Sequence, residues 1–505
     1  MRRTSAVKPG SARHASAGHS SKRHGKGHAP GPAAKLRRHR LRRHRLRRPP
    51  GFIDPGSSPT AINAASLMTP QMVDRMFWRA GFGPTSDDRA KWIGQPVGDL
   101  VDWFLTTPAG SAGVPGSDSG NPFDPTGNDT DLVLSWVDVM IRAINPFVER
   151  LTFFWHRHWA NSRAQVSPPQ LLMTQNQLFR SYADLASNPT ASFKDMANAI
   201  TIDPSMLRYL TGELNVRGAP NENYARELME LFTLGVTNAA GQPNYSQTDV
   251  EQLAKALSGW QINDTDPNNV SSYFTQSLWY DGPKIILGQW GNFTASEAVD
   301  IVLSQPAHPA FIVNALWSEF IVEEPDPATL QTLTSNYTSD GFQLKPLLQQ
   351  ILTHPLLFDS VDEPNMVKPP VVYVVGAMRA LGLGITDSTA SDYLDAMGQQ
   401  PYFPPNVSGW EGGLSWLNTD TALARFSFIS MLLSNVAIPD VPGETPDAAY
   451  ERAYEATGSP WLAGGTQAAI RSFAQVANTS TVQDRAERQV ALRALILAGP
   501  DAQVM

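Results

Sequence analysis

The chain has 505 residues, room for two to four average domains or for one large domain with an unfolded end. Apolar residues make up 42%, enough for a substantial core, and the absence of cysteine excludes disulfides, thiolate metal sites, iron–sulfur clusters and a cysteine nucleophile. The formal charge of −7 conceals a split: residues 1–50 hold 16 Lys and Arg and no acid, whereas residues 51–505 hold 24 against 47 Asp and Glu, a net of −23.

Residues 1–65 read as a disordered basic tail, rich in Ser, Gly, Ala and His and then in Pro, Gly and Ser. Its "LRRHRLRRHRLRR" run, Leu36 to Arg48, places leucines five residues apart. On a helix that spacing turns about 140° per step, so no common apolar face forms. Two readings stay open: electrostatic contact with a polyanion, such as nucleic acid or anionic lipid, or a solvated tail lying loosely on the acidic body. No apolar stretch of signal-peptide length occurs before residue 60, which also removes a twin-arginine reading. The longest apolar run, 371–385, is 15 residues long and contains Arg379, too short to span a bilayer. The default expectation for location is therefore the cytoplasm.

Residues 66–505 are expected to form a single helical domain with long irregular loops, an all-α body. Thr69 and Pro70 suit the N-cap and first position of a helix over 70–80, which "GFGPT" ends. A Pro, Gly and Asp-rich loop fills 108–130, and Asn145-Pro146 opens a helix through "PFVERLTFFWHRHWA". Further helices are expected near 170–187, 190–200, 221–234, 246–258, 295–304, 308–321, 326–337, 343–353, 367–382, 388–397, 419–435, 446–455, 465–476 and 482–498. Period-two runs of β-branched residues are nearly absent, which argues against a large sheet.

The chain lacks a P-loop, HExxH, GxSxG and a dinucleotide-binding glycine fingerprint. "NDTD" at 128–131 and 263–266 reads as soluble turns. Four histidines lie outside the tail: His156, His158, His308 and His354. His156 and His158 are two apart, so on a helix they diverge by about 200° and cannot face one ion. His158 shares the stripe of Leu151, Phe154 and Trp155, and His156 lies with Glu149 and Phe153. Either they are core histidines bonded to a buried carboxylate, or one or both act in catalysis or metal binding.

The stretch "NENYARELMELFTLG", 221–235, sets an apolar face of Ala225, Leu228, Leu231 and Phe232 against a polar stripe. Glu222–Arg226 and Arg226–Glu230 are i,i+4 pairs, worth a few tenths of a kcal/mol on an exposed face. Asn221, Glu222 and Asn223 meet at one helix end, as ligand binding would require. "PPNVSGWEGGLSWLN", 404–418, suggests a rigid loop presenting Asn406, Trp410 and Asn418. "WYDGPKIILGQWG" sets Asp281 and Lys284 around a Gly-Pro turn, where Asx-turns are the alternative.

These stretches, together with "RMFWRAGFGPT" and "VKPPVVYVVGAMRALG", occur in the order that resembles the bacterial domain of unknown function 1800 family, from about residue 70 to the end. The resemblance implies a mostly helical bacterial protein, often encoded beside a hydrolase-like protein of the domain of unknown function 1501 family, and no established activity. By motif it implies that Glu149, His156, His158, Asn221, Glu222, Asn223, Arg226, Glu227, Asp281, Lys284, Lys368, Asn406, Trp410 and Asn418 are the characteristic polar positions. Many relatives that the chain is similar to carry His at the position of Phe232, a departure that weakens a three-histidine metal model.

Two function classes follow. One is a helical partner or scaffold for the hydrolase-like neighbour, exported with it, in which the motif residues are buried polar networks that specify helix packing. The other is an enzyme whose site joins the 149–158 and 221–230 helices. There His156 would be acid or base, Glu222 or Glu227 the base or a metal ligand, and Arg226 and Lys284 the holders of an anionic group. A divalent metal would be held by Glu149, His156 and His158. The lack of a recognised catalytic constellation favours the first class.

Overall fold

Thr69 opens the first helix: its Oγ1 accepts the Met72 N–H at 3.3 Å, and Pro70 occupies a position whose N–H the helix cannot use. The computed structural model describes residues 62–113, 116–266 and 269–505. The basic tail, apart from residues 62–65, lies outside the described residues.

Twenty α-helices follow one another among the described residues. The first eight are α1 (Pro70–Ala80), α2 (Ser86–Trp92), α3 (Val97–Thr106), α4 (Asp129–Arg142), α5 (Pro146–His158), α6 (Pro169–Ala183), α7 (Phe193–Thr201) and α8 (Pro204–Tyr209). The short α9 (Asn223–Glu227) runs directly into a π-helical turn, Leu228–Thr233. Then come α10 (Gln247–Ala256), α11 (Ala295–Leu303), α12 (Ala307–Phe320), α13 (Pro327–Ser339) and α14 (Leu344–Leu352). The last six are α15 (Pro370–Leu381), α16 (Thr389–Ala396), α17 (Thr419–Ser434), α18 (Pro446–Ala456), α19 (Gly464–Val476) and α20 (Val482–Ala498). The mostly helical body expected from the periodicity is what forms. Among the described residues no helix is long and apolar enough to cross a membrane.

The departures from an all-α body are two antiparallel hairpins, β1 (Trp260–Asn263) with β2 (Ser271–Phe274) and β3 (Lys284–Ile286) with β4 (Gln289–Gly291). Strands of three or four residues are too short for alternation to register in a sequence. The second hairpin turns through Leu287 and Gly288, both at positive φ, which a two-residue turn of right-handed twist requires. Of the two NDTD stretches only the second lies in a loop, after β1, where Asp264 pairs with Arg208 at 3.0 Å; the first starts α4, with Asn128 as its cap accepting the Asp131 N–H at 2.7 Å.

Two large apolar cores lie on either side of α5. One takes Phe147, Leu151, Phe154 and Trp155 from it, together with Phe77, Phe193, Phe232 and Trp317. The other takes Phe153, with Trp136, Tyr373, Trp410 and Phe428. Full burial of each such ring is worth about 1.5–3 kcal/mol, so α5 is anchored from both sides. A third, small core joins α18, α19 and α20 through Tyr450, Ile470 and Ile496.

Candidate functional site

Because α5 separates two cores, its two histidines belong to different surroundings. His156 is 1% exposed and ringed by Trp136, Tyr402 and Trp410, with centroids 5.3, 5.4 and 5.7 Å away. Its Nε2 lies 3.0 Å from the backbone nitrogen of Tyr402, which can only donate, so Nε2 is the unprotonated acceptor. Burial pushes the pKa of His156 down to about 3. His158 faces the other core, among Phe154, Trp159 and Phe193. Its Nε2 donates to the Phe232 carbonyl at 2.9 Å, and burial lowers its pKa to about 4.

Glu149 is fully buried and receives three donors. Arg180 grips it with Nε at 2.6 Å and Nη2 at 3.0 Å, and the Trp136 indole N–H donates at 2.8 Å. A bidentate guanidinium is the geometry that keeps a buried carboxylate charged. Trp136 therefore touches both Glu149 and His156, and the core histidine sits beside a buried carboxylate without bonding to it. The metal reading finds no support in this arrangement. The Glu149 oxygens are committed to Arg180 and Trp136, and the histidines point to opposite sides of α5 with Nε2 already engaged. Among the described residues no three His, Asp or Glu side chains are grouped as metal ligands.

The π-helical turn after α9 offers successive carbonyls outward. Phe232 O receives His158, and Thr233 O lies 3.2 Å from Nδ1 of His308, a ring that burial holds at a pKa of about 4. The Thr233 hydroxyl donates back to the Leu228 carbonyl, closing the widened turn. Phe232 itself packs against Trp159, with ring centroids 4.7 Å apart.

The polar stripe of α9 has separate partners. Arg226 Nη2 pairs with Glu222 at 2.9 Å and donates to Gln247 at 2.9 Å, while Gln247 Nε2 donates to Glu222 at 2.8 Å. Both charged side chains are 37% exposed, so the pair is worth well under about 1 kcal/mol. The expected Arg226–Glu230 pair does not form. Glu230 accepts instead from the Tyr245 hydroxyl at 3.2 Å, because the π turn beginning at Leu228 shifts the register on which an i,i+4 contact depends. Glu227 is half-buried, and burial followed by the neighbouring Glu230 raises its pKa against the opposing effect of Arg226. No hydrogen bond or ion pair among the described residues links Glu149 or His156 to Glu222, Arg226 or Glu227. The two helices meet through His158 and Phe232 instead.

The remaining motif residues hold turns. Asn221 and Asn223 both donate from Nδ2 to the Thr211 hydroxyl, at 2.9 and 3.0 Å, and Asn221 Oδ1 accepts the Asn223 N–H at 3.0 Å. Asn406 Oδ1 accepts the Ser408 N–H at 2.8 Å, and Asn418 caps α17 by accepting from Asp420 and Thr421. Trp410 is buried and stacks on Phe153 at 5.8 Å. Asp281 accepts from Asn292, whose Oδ1 accepts from Lys284 Nζ at 2.7 Å. Lys284 is buried over the Trp279 ring, and burial lowers its pKa to about 8 against Asp281 and Glu297. Lys368 stands apart from all of these, its Nζ 3.6 Å from the centre of the Trp78 ring.

The residues that complete these networks, Trp136, Arg180, Tyr402 and Trp78, carry no spacing signal toward their partners in the sequence. Taken together, the fold defines a large helical domain whose histidine and carboxylate motifs tie loops to helices inside two cores. Residues 75–504 match the family model described as a protein of unknown function (DUF1800), and the chain belongs to that family. Neither a curated protein nor a solved structure matches the chain.

Proposed function

We propose that the chain is a helical partner or scaffold that docks a hydrolase-like protein of the domain of unknown function 1501 family through the surface of its body, before or during export. The observation that carries this reading is the outer face of α17. Leu423, Phe426 and Met431 are 67, 54 and 45% exposed there, and Leu414, just before the helix, is 80% exposed. Several large apolar side chains exposed on one helix and the turn before it offer an apolar surface for a partner. The alternative, a hydrolase centred on α5 and α9, draws no support from the geometry. His156 has its Nε2 lone pair occupied, and Glu149 already accepts three hydrogen bonds from Arg180 and Trp136.

Co-purification of the two proteins at roughly 0.5 M salt tests the proposal, since screening weakens electrostatic contacts of the kind an arginine-rich sequence makes and leaves packed apolar contacts intact. The complex is expected to persist there and to survive deletion of residues 1–50. Leu423→Asp with Phe426→Asp is expected to abolish it. Dissolution at that salt, or loss of binding on tail deletion alone, overturns the body-surface model.

A further inference from the structure

A narrow cleft opens between α1, the segment before α15, the 460–462 loop and the last residues of the family match. Its inner part is narrow, with Trp78, Pro460, Trp461, Val504 and Met505 among its walls. A wider outer part shares Trp461, Asp501 and Val504 and is rimmed by Asp362 and Glu363. The inner walls are apolar with a few convergent polar groups, the make-up of a small-ligand site.

Lys368 lies at the inner end. Its backbone is fixed on three sides: its N–H donates to Gln503 O at 2.9 Å, Arg425 donates to its carbonyl at 2.8 Å, and Pro369 follows. The side chain is 4% exposed and lines the cleft, yet its Nζ makes no hydrogen bond or ion pair among the described residues. Its Nζ lies over the Trp78 face, and Trp78 is itself wedged against α15. A Cβ on Gly376 would come within 2.4 Å of that ring, so the platform depends on glycine there. A buried ammonium without a hydrogen-bond partner is costly, and a buried neutral amine much less so.

We propose that Lys368 is a reactive amine that captures a small carbonyl compound, an aldehyde or ketone of a few heavy atoms, as an imine in this cleft. The Nζ lone pair forms the C–N bond as the carbonyl π pair moves to oxygen. One N–H proton passes to that oxygen, and the second leaves with the hydroxyl as water when C=N forms. Nothing is oxidised or reduced. Two carboxylates in the cleft wall can relay those protons. Asp501 accepts the Ala463 N–H through Oδ2, and Asp74 is bound by Arg89 through Oδ1. The apolar walls and the narrow inner end favour a compound without charge at its reacting end.

The electrostatics agree with a neutral amine. Burial lowers the pKa of Lys368 to about 7, with Arg425 and Arg89 acting in the same direction and Asp74 and Asp501 opposing. Burial also raises the Asp74 carboxyl, against the pull of Arg89 and Lys368. A desolvated lysine of this kind is a nucleophile near neutral pH.

The full chain, treated with propanal and cyanoborohydride at about pH 7, is mapped by peptide mass for reductive propylation. Lys368 is expected to be labelled at least about ten-fold faster than the surface residue Lys91, because far more of it is unprotonated. Its labelling rate should rise with a midpoint near 7. Asp501→Asn is expected to slow labelling at Lys368 several-fold and to leave Lys91 unchanged. Labelling of Lys368 no faster than Lys91, or rising only toward the ordinary lysine value of 10.5, overturns the proposal. Those two readouts come from the unmodified chain and do not depend on any variant folding.

Discussion

Nε2 of His156 accepts the backbone N–H of Tyr402, 246 residues further along the chain. This bond ties α5 to the loop that leads into the 404–418 motif, and Trp136, Tyr402 and Trp410 close around the ring. Replacing His156 with Phe keeps the aromatic box filled but leaves a buried N–H without an acceptor. Such a loss costs about 1–3 kcal/mol. Urea unfolding of His156→Phe should show a lower midpoint with an unchanged slope. A midpoint equal to that of the parent chain would show that the bond contributes nothing to the fold.

The buried histidines also set a pH dependence. Burial lowers His156 to about 3 and His158 and His308 to about 4, from an ordinary 6.5. The unfolded chain therefore binds these protons as pH falls through 6.5, and the folded chain does not until pH 4 or 3. Their neutral burial costs no stability above pH 6.5, and stability declines steadily below it, down to the folded values. Each ring can contribute up to about 1.4 kcal/mol per pH unit inside its window. Denaturant midpoints measured at about pH 7, 6 and 5 should fall in turn, and His156→Phe should flatten the decline by one proton. A flat profile over that range would rule out neutral burial of the three rings.

The helical periodicity was legible, and so was the divergence of His156 and His158 about α5. What could not be read was that α5 lies between two cores, because that depends on Trp136, Tyr402 and Phe193 arriving from three other segments. The 221–235 stretch shows the same limit. Ala225, Leu228 and Phe232 are buried as the 3.6-residue spacing requires, but Leu231 is half-buried and Met229 is fully buried. A π turn changes the angle per residue, and side-chain spacing alone does not announce one. Lys368 could be singled out by motif, whereas its platform, Trp78, lies 290 residues earlier in the chain and had no reason to be paired with it.

Two carboxylate–guanidinium pairs in this chain should behave very differently. Glu149–Arg180 has a fully buried acid with three donors, and Glu222–Arg226 is an exposed pair on α9. Arg180→Ala strands the Glu149 charge in the core and is expected to destabilise by about 3–5 kcal/mol. Arg226→Ala should cost about 0.5 kcal/mol or less and lose even that at high salt. Thermal melts of the two variants beside the parent decide this. Equal losses would mean that Glu149 is not held as a buried ion.

Gly409 places a separate demand on the 404–418 loop. Its φ is +76°, and a Cβ there would sit 2.7 Å from the Arg157 carbonyl oxygen and 3.0 Å from the Arg157 Cγ. The backbone conformation alone disfavours an L side chain, and the contact with the carbonyl of Arg157, next to His156, leaves no room for relief. Trp410 follows directly and stacks on Phe153, so any shift of the loop moves an anchoring ring. Gly409→Ala is therefore expected to destabilise by about 1–3 kcal/mol and to red-shift the tryptophan emission as Trp410 lifts from Phe153. The neighbouring Gly412 is an internal control, since it has a φ outside the left-handed region and nothing within 4 Å of its Cβ position. Gly412→Ala should leave both the melting temperature and the emission maximum unchanged, and matching behaviour of the two variants would show that the loop does not rest on α5 at Gly409.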